Sequence, residues 1–396
     1  MATANSISDV HPPQARSTPG LLVVLAAMPP DETERVLTNL TASFPPGSLT
    51  IASSGAFPTE AWPGLRIVAT AATNASWTLT PADFINAHSI AQENEARAIL
   101  VLGPGSASLH AAALRDLAKT VLVGSADLTM PCYDLPPNAG LINSAILYPL
   151  TRALFCSRAR FPLAVDLGLS LRMAERLAAT AQRFTALNQG DALLWPINEA
   201  ATAGFVTNEV DVGQRATPQP AENDINSILA SVTGSLFGDI DAKAAYWQRA
   251  RSLPPPRNPA PQAHSADGSA DIAPMLDAFR LAYTNLLEIW SLVLPPNSLL
   301  GLKRLSLAEG AAFRMPDGLW ARIVYDFLIA YRLRTLNRGH LLGALIPLYL
   351  AWVASHINFT ASGGNPERHI ESIAAAFEAD KPYLLARWRS PDRFNP

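Results

Sequence analysis

Gly20–Ala27 reads GLLVVLAA, eight residues without a polar side chain. A run this short and this continuously apolar fits a strand buried on both faces rather than one with a wet side. The next segment changes period: across Asp31–Ser43, Val36, Leu37 and Leu40 fall on one helical face. The alternation then repeats. Leu49–Ala52, Leu65–Ala69 and Ala98–Leu102 read as strands, and Thr120–Gly124 as a further one. Thr80–Asn94 reads as a helix capped by Thr80 or Asp83. Such alternation predicts the α/β class, with a mostly parallel sheet covered by helices.

From Asn143 onward the texture turns helical. Ala145–Cys156 and Leu171–Ala186 carry helical spacing, and Ala221–Arg251 is a long amphipathic segment. Ser252–Asp271 holds five prolines and little apolar content, as a linker or irregular loop does. Beyond it Pro274–Leu294, Leu319–Leu336, His340–Phe359 and Pro366–Trp388 predict a unit of about four helices. The expected organisation is a disordered tail over 1–19, an α/β domain over 20–251, a Pro-rich linker over 252–272 and a helical domain over 273–390.

With 49% hydrophobic and 16% charged residues, the 396-residue chain can bury a sizeable core. A net charge of −3 gives no basic excess for nucleic acid. Cys132 and Cys156 have neither Cys-x-x-Cys nor His-rich surroundings, so two reduced, mostly buried thiols are expected. Met1–Pro19 lacks the charged-then-apolar order of a signal peptide, which points to a cytoplasmic location. The longest apolar window, Leu341–Ala354, falls short of the roughly 20 residues a bilayer requires and reads as a buried helix.

Common catalytic signatures are absent: there is no P-loop, no Gly-x-Ser-x-Gly elbow and no zinc-type His spacing. Gly103-Pro104-Gly105-Ser106 follows a predicted strand and precedes a helix. It is either a phosphate-holding turn or an ordinary strand-to-helix connection. Asp166 lies in the apolar run FPLAVDLGL, where a lone carboxylate is costly. It is a candidate catalytic or substrate-binding acid, or else a carboxylate accepting backbone amides at Gly168. Glu199 opens a small-residue helix behind Asn198, as an acid/base group or as a first-turn glutamate favoured by the helix dipole. Tyr148 and Arg152, four apart, share a helix face, and an arginine there either clamps a ligand carboxylate or forms an ion pair. The tryptophans at 290, 320, 352 and 388 read as core.

Tyr133–Ser170, YDLPPNAGLINSAILYPLTRALFCSRARFPLAVDLGLS, adds a specific pattern. It resembles the signature region of glucosylglycerate and mannosylglycerate synthases, retaining glycosyltransferases of the GT-A fold. Tyr133, Asn143, Tyr148–Leu154, Arg158, Arg160, Pro162, Asp166, Gly168 and Ser170 carry the likeness. It continues through Ala200–Gly213, Val232–Trp247, Trp320–Tyr331, Asn337–Leu350 and Phe377–Trp388, so it spans roughly residues 130 to 390. The resemblance implies a GT-A domain, Rossmann-like with flanking helices, followed by a C-terminal helical unit. It also implies a nucleotide-sugar donor and a small hydroxy-acid acceptor such as glycerate. Asn143, Tyr148, Arg152 and Arg158 are then the candidate substrate ligands, Arg160 a further carboxylate partner, and Asp166 and Glu199 the candidate catalytic acids.

The departures cluster where that chemistry sits. The family holds the donor diphosphate through magnesium or manganese, bound by an Asp-x-Asp pair and a later His. Hard oxygen ligands suit those ions. Here Gly103-Pro104-Gly105 stands in place of Asp-x-Asp, and Arg215–Thr217 occurs where the His belongs. Leu193-Leu194-Trp195 replaces an Asp-Ile-Trp, Ala27-Met28-Pro29-Pro30 replaces the donor loop, and Ser53–Pro58 replaces an Asp-Gly-Gly-Ser-Thr-Asp segment. Two readings follow. The chain is a non-catalytic relative that binds or regulates, or a transferase with a metal-independent site. In the second, Gly103, Gly105, Ser106 and Arg215 carry the diphosphate. No metal is expected of these residues, and the C-terminal helices are a candidate homo-oligomer interface.

Overall fold

The computed structural model describes residues 20–55, 62, 64–71, 73, 76–189, 192–215, 225–250 and 271–390. The expected tail over 1–19 and most of the Pro-rich stretch lie outside them. The α/β part runs β1 (Leu21–Leu25), α1 (Pro30–Ser43), β2 (Leu49–Ser53), β3 (Arg66–Ala69), α2 (Pro81–Glu93), β4 (Ala98–Leu102), α3 (Ala111–Leu122) and β5 (Leu128–Asp134). It continues through α4 (Tyr148–Phe155), β6 (Asp166–Ser170), α5 (Leu171–Ala186), α6 (Pro196–Ala203), β7 (Thr207–Gln214), α7 (Ile225–Ala242) and α8 (Ala244–Trp247). The helical part comprises α9 (Ala273–Asn285), α10 (Leu287–Ser291), α11 (Pro296–Ser306), α12 (Asp317–Leu333), α13 (Arg338–Ala361) and α14 (Pro366–Arg389).

The strands form one sheet in the order β3-β2-β1-β4-β6-β5-β7. β6 runs antiparallel to β4 and β5, and the other pairings are parallel. Every residue of β1 and of β4 is buried, as their unbroken apolar sequence predicts for central strands. Sheet, flanking helices and a following helical unit together make the mostly parallel α/β architecture expected. Thr80 caps α2 in a capping box with Asp83, whose carboxylate accepts from the Thr80 amide at 2.7 Å. Gly168 is obligatory for packing: a Cβ there would stand 2.3 Å from the Leu117 carbonyl oxygen on α3.

The topology fixes where a site can form. β1 lies between β2 and β4, so the chain leaves it in one direction and returns on the other side. The carboxyl ends of β1 and β4 therefore open a crevice. Because β6 is antiparallel, its first residue, Asp166, pairs with Leu102 at that same edge. Tyr133 near the end of β5 and Arg215 just past β7 reach it too. The β5–β7 register slips by one residue after Cys132, where Gly213 takes φ 70°.

There are two main cores. One surrounds the sheet; the other joins α4, α7 and the C-terminal helices, with Trp290, Trp320 and Trp352 wholly buried. Trp320 Nε1 donates to the Ala145 carbonyl at 2.8 Å, pinning the helical unit to the turn before α4.

Several expectations are corrected. Thr120–Gly124 is no strand but the end of α3 and its exit turn, since Ala113, Leu114, Leu117, Ala118 and Val121 already commit it to a helical stripe. The segment expected to run unbroken to Arg251 breaks at Lys243 into α7 and α8. The helical unit has six helices rather than about four: α11, opened by Pro295 and Pro296, is an additional one, and Leu286 divides α9 from α10. Asn143–Leu147 forms a π-helical turn leading into α4. α13 spans 24 residues, so by length and composition it is apolar enough to cross a membrane; 72% of its apolar window is buried against the rest of the chain. Cys132 and Cys156 are free thiols, but half-buried rather than mostly buried.

Candidate functional site

At the carboxyl edge of the sheet, Asp166 is fully buried and accepts four hydrogen bonds. Arg215 Nε donates to Oδ2 at 2.6 Å and Nη2 to Oδ1 at 3.2 Å. The Tyr133 hydroxyl donates to Oδ2 at 2.9 Å, and the Gly103 amide to Oδ1 at 3.3 Å. Arg215 Nη2 also donates to the Pro104 carbonyl at 2.7 Å, and its guanidinium lies over the Tyr133 ring at 5.3 Å. Burial works against the Arg215 charge, yet the Asp166 carboxylate outweighs it and holds the guanidinium pKa above its ordinary value. Burial and then Asp166 push the Tyr133 phenol well up, so it stays a neutral donor. The Asp166 amide donors come from Gly103 across the sheet; Gly168 lies inside β6 rather than at a turn.

The turn Gly103–Ser106 is internally occupied as well. Gly103 gives its amide to Asp166, Pro104 has none, Gly105 donates to Glu32 of α1, and Ser106 donates to the Gly103 carbonyl. Gly105 sits at φ 86°, a left-handed conformation that favours glycine. The Ser106 hydroxyl is buried without a partner.

The described residues at this corner offer no ligand set for a divalent cation. Among the described residues no cluster of three His, Cys, Asp or Glu side chains exists. Asp166 has both oxygens engaged, Glu32 accepts from the Gly105 amide, and a dication beside Arg215 meets a fixed positive charge. Asp134 follows Tyr133 as the last residue of β5. Asp127 lies at the other end of β5, bound to Arg172, Ser170 and the Val206 amide. Thr217, beside the position where a His was sought, lies outside the described residues.

Other candidates are gathered elsewhere. Glu199 pairs with Arg176 at 2.8 Å and Lys243 at 2.9 Å, in a buried network that also holds Asp239 and Asn198. Arg152 binds Glu371 at 2.5 Å and Glu378 at 2.7 Å, and donates to the Tyr148 hydroxyl at 2.9 Å. The Tyr148 hydroxyl donates to Glu371 at 2.7 Å, and Arg160 reaches Glu367 at 2.9 Å. Glu367, Glu371 and Glu378 share one face of α14, so these groups join α4 and the loop after it to that helix. Arg158 lies exposed on the same loop. Leu193, Leu194 and Trp195 are core.

Beside the Asp166 edge opens a cleft of about 590 Å³ between the sheet and the helical unit. Tyr133, Arg215 and Asn143 stand in its wall, as do Phe161, Leu163 and Val165. The opposite wall is made by Ile228 and Val232 of α7, Met275 of α9, and Tyr349, Leu350 and Val353 of α13. Asn143 Nδ2 is spent on the Arg160 carbonyl at 2.9 Å. The helical wall was not foreseen; its lining residues are individually ordinary core types, and only their meeting across the fold makes a cavity.

No protein-family model matches this chain, and no curated protein matches it. Among solved structures it is similar to glucosyl-3-phosphoglycerate synthase from Mycobacterium tuberculosis in complex with phosphoglyceric acid. That likeness has 14% identity and a TM-score of 0.37 over 59% of this chain and 81% of that one. The same synthase with Mn2+, uridine diphosphate and glucosyl-3-phosphoglycerate gives 15% identity and a TM-score of 0.36, over 55% and 79% of the two chains. A mycobacterial protein gives 13% and 0.38, over 62% and 81%.

Proposed function

We propose that this chain is a glycosyltransferase-like binding protein that has given up metal-dependent sugar transfer. One observation carries the reading: the Asp166–Arg215 ion pair occupies the sheet edge where the resemblance calls for paired metal-binding acids. A transferase of that type needs a dication to stabilise a leaving diphosphate. Here the edge carries a neutralised pair whose donors and acceptors are satisfied within the protein. The cleft beside it persists, so binding capacity is kept where the transfer machinery is not. Purified protein with Mn2+ or Mg2+, UDP-glucose or GDP-mannose, and glycerate or 3-phosphoglycerate is expected to form no glycoside and release no nucleoside diphosphate above the blank. Metal-dependent turnover removed by EDTA would overturn the reading.

A second reading rests on Arg215 itself, whose guanidinium reaches the Pro104 carbonyl within the segment that replaces the metal motif. In it a side-chain cation takes the role of the ion and the chain transfers a hexose to a small hydroxy acid without metal. The bidentate tie to Asp166 weighs against it, since a diphosphate would have to compete with that carboxylate. Metal-free thermal stabilisation by a nucleotide sugar, reduced in Arg215→Ala, is what it requires.

A further inference from the structure

We propose that the cleft between the sheet edge and the helical unit binds a neutral, largely hydrophobic small molecule that presents one oxygen to the Tyr349 hydroxyl. This deepens the binding-protein reading and rests on it. Arg215 is the one charged side chain in the described lining, and Asp166 already matches its charge. An ionic ligand would bring a charge between apolar walls with no unmatched partner to meet it. Of the other polar side chains in the described lining, Tyr133 donates to Asp166 and Asn143 Nδ2 to a backbone carbonyl, while Asn138 is exposed and Trp77 half-buried. The walls that remain, among them Phe161, Leu163, Ile228, Met275 and Leu350, are hydrophobic.

One group breaks the pattern. Tyr349 is only 3% exposed, lies in the cleft wall, and its hydroxyl has no hydrogen-bond partner among the described residues. A buried tyrosine normally finds one. In a cavity of this size, within the range of about 300–1,000 Å³ typical of small-molecule sites, that unanswered hydroxyl marks where a ligand oxygen belongs. Neighbouring chain is a poor substitute. Residues 216–224, ATPQPAEND, carry no aliphatic or aromatic side chain larger than alanine except proline, and 251–270 carry a single leucine, Leu253.

The test uses the full chain and Nile red, an uncharged dye that brightens in apolar sites. Saturable one-site binding is expected, displaced by farnesol and not by UDP-glucose with Mn2+. Tyr349→Phe is expected to weaken farnesol about fivefold, the size of one lost hydrogen bond, while leaving its hydrocarbon counterpart farnesene unchanged. Ile228→Glu, at a half-buried wall position, is expected to weaken dye and farnesol at least about tenfold through a charge placed in the apolar wall. If that variant does not fold, the farnesol–farnesene comparison in Tyr349→Phe decides. Absence of saturable dye binding, displacement by UDP-glucose with farnesol inert, or equal effects of Tyr349→Phe on farnesol and farnesene would each overturn the inference. These outcomes separate from a failure of the broader reading, which would show instead as metal-dependent turnover.

Discussion

Arg215 meets Asp166 across 49 residues of sequence in a bidentate pair, Nε to Oδ2 at 2.6 Å and Nη2 to Oδ1 at 3.2 Å, with neither side chain more than 1% exposed. A pair this dry has lost the hydration of both ions, so each charge depends on the other. Asp166→Ala therefore leaves a buried guanidinium without its bidentate counter-ion, and should destabilise the fold by about 3–5 kcal/mol in urea unfolding. Replacing both partners, Asp166→Leu with Arg215→Met, should cost less than the two single changes summed, because no orphan charge remains. Strict additivity would mean that the pair is not coupled.

The contact between β6 and α3 gives a sharper steric case. Gly168 has room for a hydrogen and nothing more: a Cβ would lie 2.3 Å from the Leu117 carbonyl oxygen, a backbone atom that cannot rotate away. Gly168→Ala should cost about 2–3 kcal/mol and shift the near-UV circular dichroism little, since the overlap is local. A melting temperature equal to that of the unaltered protein would contradict the packing described.

Arg152 looked from sequence like a ligand clamp, and its surroundings give it a different consequence. Its guanidinium holds Glu371 and Glu378 of α14, each carboxylate 12% exposed, and reaches them more than 200 residues along the chain. Arg152→Ala leaves those two acids without their shared counter-ion. A loss of about 2–4 kcal/mol is expected, with Nile red affinity unchanged because Arg152 does not line the cleft. Weakened dye binding at full stability would return the residue to a ligand role.

What the sequence made legible follows from how local the signal is. β1 and β4 were readable because burial on both faces demands unbroken apolar runs, and α2 because Thr80 and Asp83 cap it within four residues. β5 was not readable: Pro131 disguises LTMPCYD, and it is tolerated because β6 pairs only with Leu128 and Thr129, leaving one side of the strand free beyond them. The Asp166 run announced a paired acid, and Arg215 stood among the candidate cations, but their partnership needed β6 to run antiparallel. The Glu367–Glu371–Glu378 face could not be matched to Tyr148, Arg152 and Arg160 without the docking of α14 on α4. Tyr349 reads in sequence as part of a buried apolar helix, and the unpartnered state of its hydroxyl is visible only in three dimensions.

The last expectation concerns acid. His356 is fully buried on α13, stacked on Trp352, with its Nδ1 2.8 Å from Nδ1 of His369 on α14. Burial, and after it the neighbouring His369, lower its pKa from 6.5 to about 4; Glu367 opposes this and Arg160 adds to it. The His369 ring in turn approaches Asp317 at 3.4 Å. Below pH 6.5 the unfolded chain binds a proton at residue 356 that the folded chain refuses until about pH 4. Acid therefore favours the unfolded state across that window: this contribution is complete above 6.5 and is withdrawn as pH falls to about 4. Its size is roughly 2–4 kcal/mol. Urea midpoints measured from pH 7 to 4.5 should fall accordingly, and His356→Gln should flatten the slope by removing the titrating group. The lowered pKa of Asp317 adds its own acid loss only below the ordinary carboxylate range near 3.8, outside that interval. An unaltered slope in His356→Gln would assign the acid sensitivity to another group.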